Sequence, residues 1–79
     1  MSSHNNLHDC VRASLEEYFR DLNGTDPAGL HDMLLKAVEK PLLEVVMQQS
    51  QNNQSRAAQW LGLNRNTLRK KLLEHKLID

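Results

Sequence analysis

Between residues 64 and 71 the chain reads Asn64, Arg65, Asn66, Thr67, Leu68, Arg69, Lys70, Lys71. These side chains offer guanidinium, ammonium, amide and hydroxyl donors, which suit recognition of anions and base edges rather than catalysis. At helical spacing Arg65 and Arg69 stand one turn apart on a common flank, and Asn66 and Lys70 share the neighbouring row. Both rows point away from Leu68 and Leu72. A helix built in this way can enter a major groove, where arginine pairs bidentately with guanine. Thr67 and Lys71 lie on the other flank, in reach of phosphates. The exposed amides that open the preceding helix, near Asn53 and Ser55, offer a second phosphate site.

These donors need a scaffold, and the stretch from Gln54 to Leu72 spells a helix-turn-helix. A helix is predicted over 54–61, a turn at Gly62 and Leu63, and a second helix over 65–75 that Asn64 can cap. Ala57 and Ala58 are small enough for close packing of the second helix across the first, and Gly62 supplies the backbone freedom of the turn. Leu61, Leu63, Leu68 and Leu72 fill the inner faces. The spacing alone is a weak signal, because any tight helical hairpin wants it, including one that docks protein. The same spacing with arginine, asparagine, threonine and lysine on the second helix favours double-stranded DNA.

Upstream, Val11, Leu15, Tyr18, Phe19 and Leu22 fall on one face of a helix predicted over 7–22. Asn5 or Asn6 can cap it, and Asn23 and Gly24 end it. Asp26 and Pro27 read as the cap and first position of a second helix running to Gln49. Pro41 either kinks this helix or divides it in two. Around it, Leu42, Leu43, Val45, Val46 and Met47 cover about 200° of the helix surface at 100° per residue. A helix apolar over so wide an arc must be buried over it. These five residues are therefore the expected core of a homodimer.

Size points the same way. A chain of 79 residues is a single domain, and one below roughly 80 residues rarely builds a core worth more than about 3–5 kcal/mol. The lone Cys10 excludes an intrachain disulfide framework, and no cysteine or histidine cluster has zinc spacing. A partner chain is the remaining support. The net charge of zero conceals a division: residues 1–50 are acidic, and residues 51–79 hold six of the ten Lys and Arg against two of the ten Asp and Glu. That basic third is a local nucleic-acid footprint.

The residues quoted above resemble the Fis family, the factor-for-inversion-stimulation nucleoid proteins. The likeness runs from Asn53 to Ala58 and from Leu61 to Leu72, through Tyr18, Phe19, Leu22, Asn23 and Gly24, and through Glu39 to Met47 with Pro41 included. It covers about Val11 to Leu77. It implies an all-α, four-helix subunit in a single domain, with the first two helices (7–50) forming an intertwined dimer core. The last two (53–77) would form a helix-turn-helix DNA-reading unit. It further implies a homodimeric, sequence-tolerant, DNA-bending transcription regulator of the bacterial cytoplasm and nucleoid, acting on sites with an A/T-rich centre whose minor groove must be compressed. RNA polymerase is a further partner the resemblance admits.

Carried over residue by residue, the resemblance makes Asn64, Arg65 and Arg69 base-edge readers. It makes Asn53, Ser55, Thr67 and Lys70 phosphate contacts. Ser55 stands where the family has Thr, Asn66 where it has Gly, and Gln51 where it has Arg, which weakens a contact to flanking DNA. Only about six residues precede the first helix, whereas better-known members carry an arm that touches a DNA invertase, so invertase activation is not expected. The same hairpin also ends enhancer-binding activators of the nitrogen-regulation type. An excised domain of one, or a helical protein adaptor, is the alternative reading.

The remaining residues carry less. No apolar run approaches the ~20 residues that span a bilayer, and the first six residues lack the apolar stretch of a secretory signal. His4 and His8 are too few for a metal site. His31 and His75 have no visible partner. Cys10 and Trp60 read as packing residues. Glu16, Glu17 and Asp32 are scattered acids with nothing to pair them, so no enzyme and no cofactor is expected.

Overall fold

The computed structural model describes residues 6–79. Four helices follow one another: α1 Leu7–Leu22, α2 Leu30–Gln49, α3 Gln54–Leu61 and α4 Arg65–Glu74. No strand occurs among the described residues, so the class is all-α. Asn5 and His4 lie outside the described residues. The chain divides into two compact units, one ending at Leu30 and the other spanning His31–Asp79.

In the first unit, α1 begins where the Asn6 carboxamide accepts the amide of Asp9 at 3.0 Å, one of the orphan donors of a helix start. The Asp9 carboxylate in the first turn complements the helix dipole. The helix ends at Asn23, which takes a left-handed conformation (φ 54°) and donates its amide to Arg20. Val11, Leu15, Tyr18 and Leu22 are half-buried along one stripe, while Leu7 and Phe19 are exposed. Cys10, read as a packing residue, is exposed.

The second helix starts later than its sequence signals indicate. Asp26 and Pro27 do not open it. Gly29 adopts φ +63°, which no residue inside a right-handed helix can hold, so the helix begins at Leu30. From there it runs unbroken through Pro41 to Gln49. Pro41 lacks the amide that would bond to Ala37, and packing outweighs that lost bond.

The core of the second unit consists of Leu43, Met47, Ala57, Ala58, Leu68 and Leu72, with Val46, Leu61, Leu77 and Ile78 packed against it. Within the single chain the five residues of the expected dimer core differ in burial. Leu43 is only 1% exposed and Met47 8%, because one chain's own hairpin covers that side of α2. Leu42 and Val45 remain 47% and 53% exposed. With Leu35 and Val38, also exposed, they fall at i, i+3, i+7 and i+10, the spacing of a seam that packs helix on helix.

Three helices of this unit end in the same way. Asn52 donates to Met47 at 2.8 Å, Leu63 to Ala58 at 2.9 Å and Leu77 to Leu72 at 2.8 Å. Each bond spans a left-handed residue: Gln51 (φ 57°), Gly62 (φ 73°) and Lys76 (φ 59°). A second bond spanning three residues accompanies each, from Gln51 to Gln48, Gly62 to Gln59 and Lys76 to Leu73. This is the Schellman closure of a helix C-terminus. Ser50, fully buried at the first of these corners, donates its hydroxyl to the Met47 carbonyl at 3.2 Å, so no buried polar group is stranded there.

Candidate nucleic-acid interface

The hairpin is set by two asparagine caps and one glycine. Asn53 accepts the amide of Arg56 at 3.0 Å, and Asn64 accepts the amide of Asn66 at 2.7 Å. Between them Gly62 reverses the chain. Ala57 and Ala58, at 0% and 4% exposure, let α3 and α4 approach closely. Leu68 and Leu72 are fully buried, and this fixes the rotation of α4 about its own axis.

That rotation decides what α4 shows. Arg65, Asn66, Thr67, Arg69 and Lys70 are all exposed, and so are Asn64 before them and Asn53 and Ser55 at the start of α3. Arg65 and Arg69 stand one turn apart on the flank beside the buried leucines, while Asn66 and Lys70, each two residues from Leu68, lie nearly half-way round the helix from it. The result is an outward row of donors backed by an apolar inner face. The asparagine cap restricts its own residue. With Oδ1 of Asn64 accepting the helix amide, its Nδ2 hydrogens remain free to donate to a ligand.

Lys71 departs from the others. Its ammonium lies 2.8 Å from Oε2 of Glu39 on α2. The other oxygen of the same carboxylate lies 2.9 Å from Nε2 of His75, which must donate, because an ionised carboxylate only accepts. Hydrogen bonds from Lys71 and then from His75 hold the Glu39 carboxyl below its ordinary 4.5, against the opposing effect of burial. The bond to Glu39 raises Lys71 above 10.5. The predicted phosphate contact at Lys71 is thus engaged within the chain, as a tie between α2 and α4. Sequence reasoning missed both Glu39 and His75. They lie 36 positions apart, and nothing local marks them as partners.

Trp60 also departs from expectation. The buried side of α3 belongs to Ala57 and Ala58, and Trp60 is turned off it, 55% exposed. Among the described residues no three His, Cys, Asp or Glu side chains could hold a metal ion, and no helix is long and apolar enough to cross a membrane.

Two capped helices across a glycine turn, the second presenting polar donors on one face, define a helix-turn-helix protein. The family model of the bacterial regulatory proteins of the Fis family matches residues 34–75. The chain is similar to a protein of Neisseria meningitidis serogroup B named as a Fis-like DNA-binding protein, 60% identical over 72 residues, 91% of each chain. It is similar to one of the same description from Ralstonia nicotianae, 55% identical over 76 residues, 96% of this chain and 99% of the relative. The DNA-binding protein Fis of Proteus mirabilis is 51% identical over 69 residues, 87% of this chain and 70% of the relative. The chain belongs to the Fis family, a family of regulatory proteins rather than enzymes.

Proposed function

We propose that the protein is a homodimeric DNA-binding and DNA-bending regulator associated with the bacterial nucleoid in the cytoplasm. The observation that carries this reading is the row of donors on α4: Arg65 and Arg69 exposed one turn apart, on the flank beside the buried Leu68 and Leu72. Arg65 and Arg69 read guanine edges in the major groove, and the free amide of Asn64 donates to a base acceptor beside them. Asn53, Ser55, Thr67 and Lys70 grip phosphates, which fixes register without reading sequence.

The relatives named as DNA-binding support the ligand. The exposed Leu35, Val38, Leu42 and Val45 support a second copy of the chain, since an apolar seam of that spacing suits helix pairing. In the dimer the two copies of α4 engage successive major grooves. The duplex bends across an A/T-rich centre, so preference comes from deformability as well as from base contacts. RNA polymerase at a bound promoter is a further partner under this reading.

Fluorescence anisotropy tests the reading directly. The protein is titrated into an A/T-centred duplex with flanking guanines, and into a scrambled duplex, at several salt concentrations. Two chains per duplex, affinity falling steeply with salt through counterion release, and a modest preference for the A/T-centred duplex are expected. A folded protein that binds neither duplex at low salt would overturn it and make the hairpin a protein-docking surface.

A further inference from the structure

We infer that Glu39 is a positioning residue that withholds Lys71 from DNA, so that α4 binds with one cation fewer than its sequence displays. The inference rests on the DNA-binding reading given above. Three cations follow one another at Arg69, Lys70 and Lys71, and the sequence offers no reason to treat the last differently. The structure does. Arg69 and Lys70 are exposed, whereas Lys71 sits two residues from Arg69, about 200° round the helix, with its ammonium 2.8 Å from Oε2 of Glu39. The Lys71 side chain keeps 32% of its exposure and the Glu39 side chain 24%.

The electrostatics make this more than a contact. Glu39 and Lys71 together carry no net charge, so the pair itself attracts no phosphate. Were Lys71 to swing to a phosphate, it would leave the Glu39 carboxylate facing a polyanion with only His75 at its other oxygen, 2.9 Å away. The exchange trades one anion for another and releases no additional counterion. The same carboxylate, holding both Lys71 and His75, ties the last turns of α4 to the middle of α2. Glu39 therefore also fixes the direction in which Arg65 and Arg69 leave the body of the unit.

Salt dependence of duplex binding separates this from a plain structural role. Each phosphate neutralised adds about 0.9 to the slope of log affinity against log salt. Glu39→Gln frees Lys71 and is expected to steepen the slope by about that amount per bound chain. It should also narrow the preference for the A/T-centred over the scrambled duplex. Glu44→Gln, the same charge change at an exposed position of the same helix, is expected to leave both near wild type. Lys71→Met is expected to keep the wild-type slope, with circular dichroism confirming that the helices persist. A slope that falls by about 0.9 per chain in Lys71→Met, or that is equal in Glu39→Gln and Glu44→Gln, would overturn the inference while the DNA-binding reading stands. A folded wild-type protein that binds no duplex would overturn both.

Discussion

The amide of Leu63 donates to the carbonyl of Ala58 at 2.9 Å, closing α3 one residue after the glycine that turns the chain into α4. The same bond recurs after Gln51 and Lys76, yet only one of the three corners has the residue that holds a left-handed backbone without strain.

Opposite substitutions at two of these corners should therefore have opposite signs. Gly62→Ala is expected to destabilise by about 1–2 kcal/mol through backbone strain, since open space surrounds the added carbon. Gln51→Gly should stabilise by about 0.5 kcal/mol, the relief of strain less the greater freedom of unfolded glycine. Urea unfolding followed by circular dichroism measures both.

Asn64 caps α4 through Oδ1 and, under the proposed reading, meets a base through Nδ2, and a pair of variants separates the two. Asn64→Ala removes the cap and should cost about 1 kcal/mol of stability. Asn64→Asp keeps an oxygen for the Asn66 amide and suits the helix dipole, so stability should hold. It replaces the free amide donor with a charge that repels DNA, and duplex affinity should fall at least about tenfold. Equal affinity in Asn64→Asp and wild type would remove this residue from the readers.

Arg69 and Lys70 should fail differently. Arg69→Ala is expected to lose about 1–3 kcal/mol of binding and to relax discrimination at one base position. Lys70→Ala should weaken all duplexes alike and reduce the salt slope by about 1 per chain. Neither should alter the melting curve, as both side chains are exposed. Anisotropy against a panel of single-base variants distinguishes the two patterns.

Stability should fall in acid through Glu39. Its folded carboxyl titrates below the ordinary 4.5, so the stabilisation is present above that value and is lost as pH falls through the depressed one. Lys71 mirrors it, stabilising below 10.5 and losing the effect as pH rises beyond its raised value. Glu39→Gln should flatten the urea midpoint against pH on the acid side. A wild-type curve that Glu39→Gln leaves unchanged there would assign acid sensitivity to other groups.

On α2, neighbouring leucines should answer different questions. Leu42→Glu or Val45→Glu charges the exposed seam, and sedimentation should then report a single chain with its helices intact. Leu43→Ala instead hollows the core and should cost about 2–5 kcal/mol. Retention of a dimer by both seam variants would place the pairing surface elsewhere.

Periodicity and caps made most of this architecture legible in the sequence. The bounds of α1 and α3 follow from Asn6, Asn23, Asn53 and Gly62, whose side chains or backbone freedom act within a few residues. The recognition face follows from Leu68 and Leu72, since two buried positions on a helix orient all the rest. What stayed hidden depends on distance along the chain. The apolar arc of α2 showed that burial was needed, but not that Leu43 and Met47 would be covered by the chain's own hairpin. Nor did it show that Leu42 and Val45 would be left bare. The Glu39 tie joins residues from separate helices, and three similar cations in a row give no sign that one is already taken. The late start of α2 turned on Gly29, whose left-handed backbone overrode an otherwise good start signal at Pro27.

The small aliphatic core of the His31–Asp79 unit also sets its response to heat. No aromatic ring enters that core, and at about 0.7 kcal/mol per residue a unit of this size unfolds with an enthalpy of only roughly 35 kcal/mol. So small an enthalpy spreads melting of a lone chain over a range on the order of 25 °C. Warming therefore thins the folded population by degrees, with no sharp temperature at which a lone copy fails.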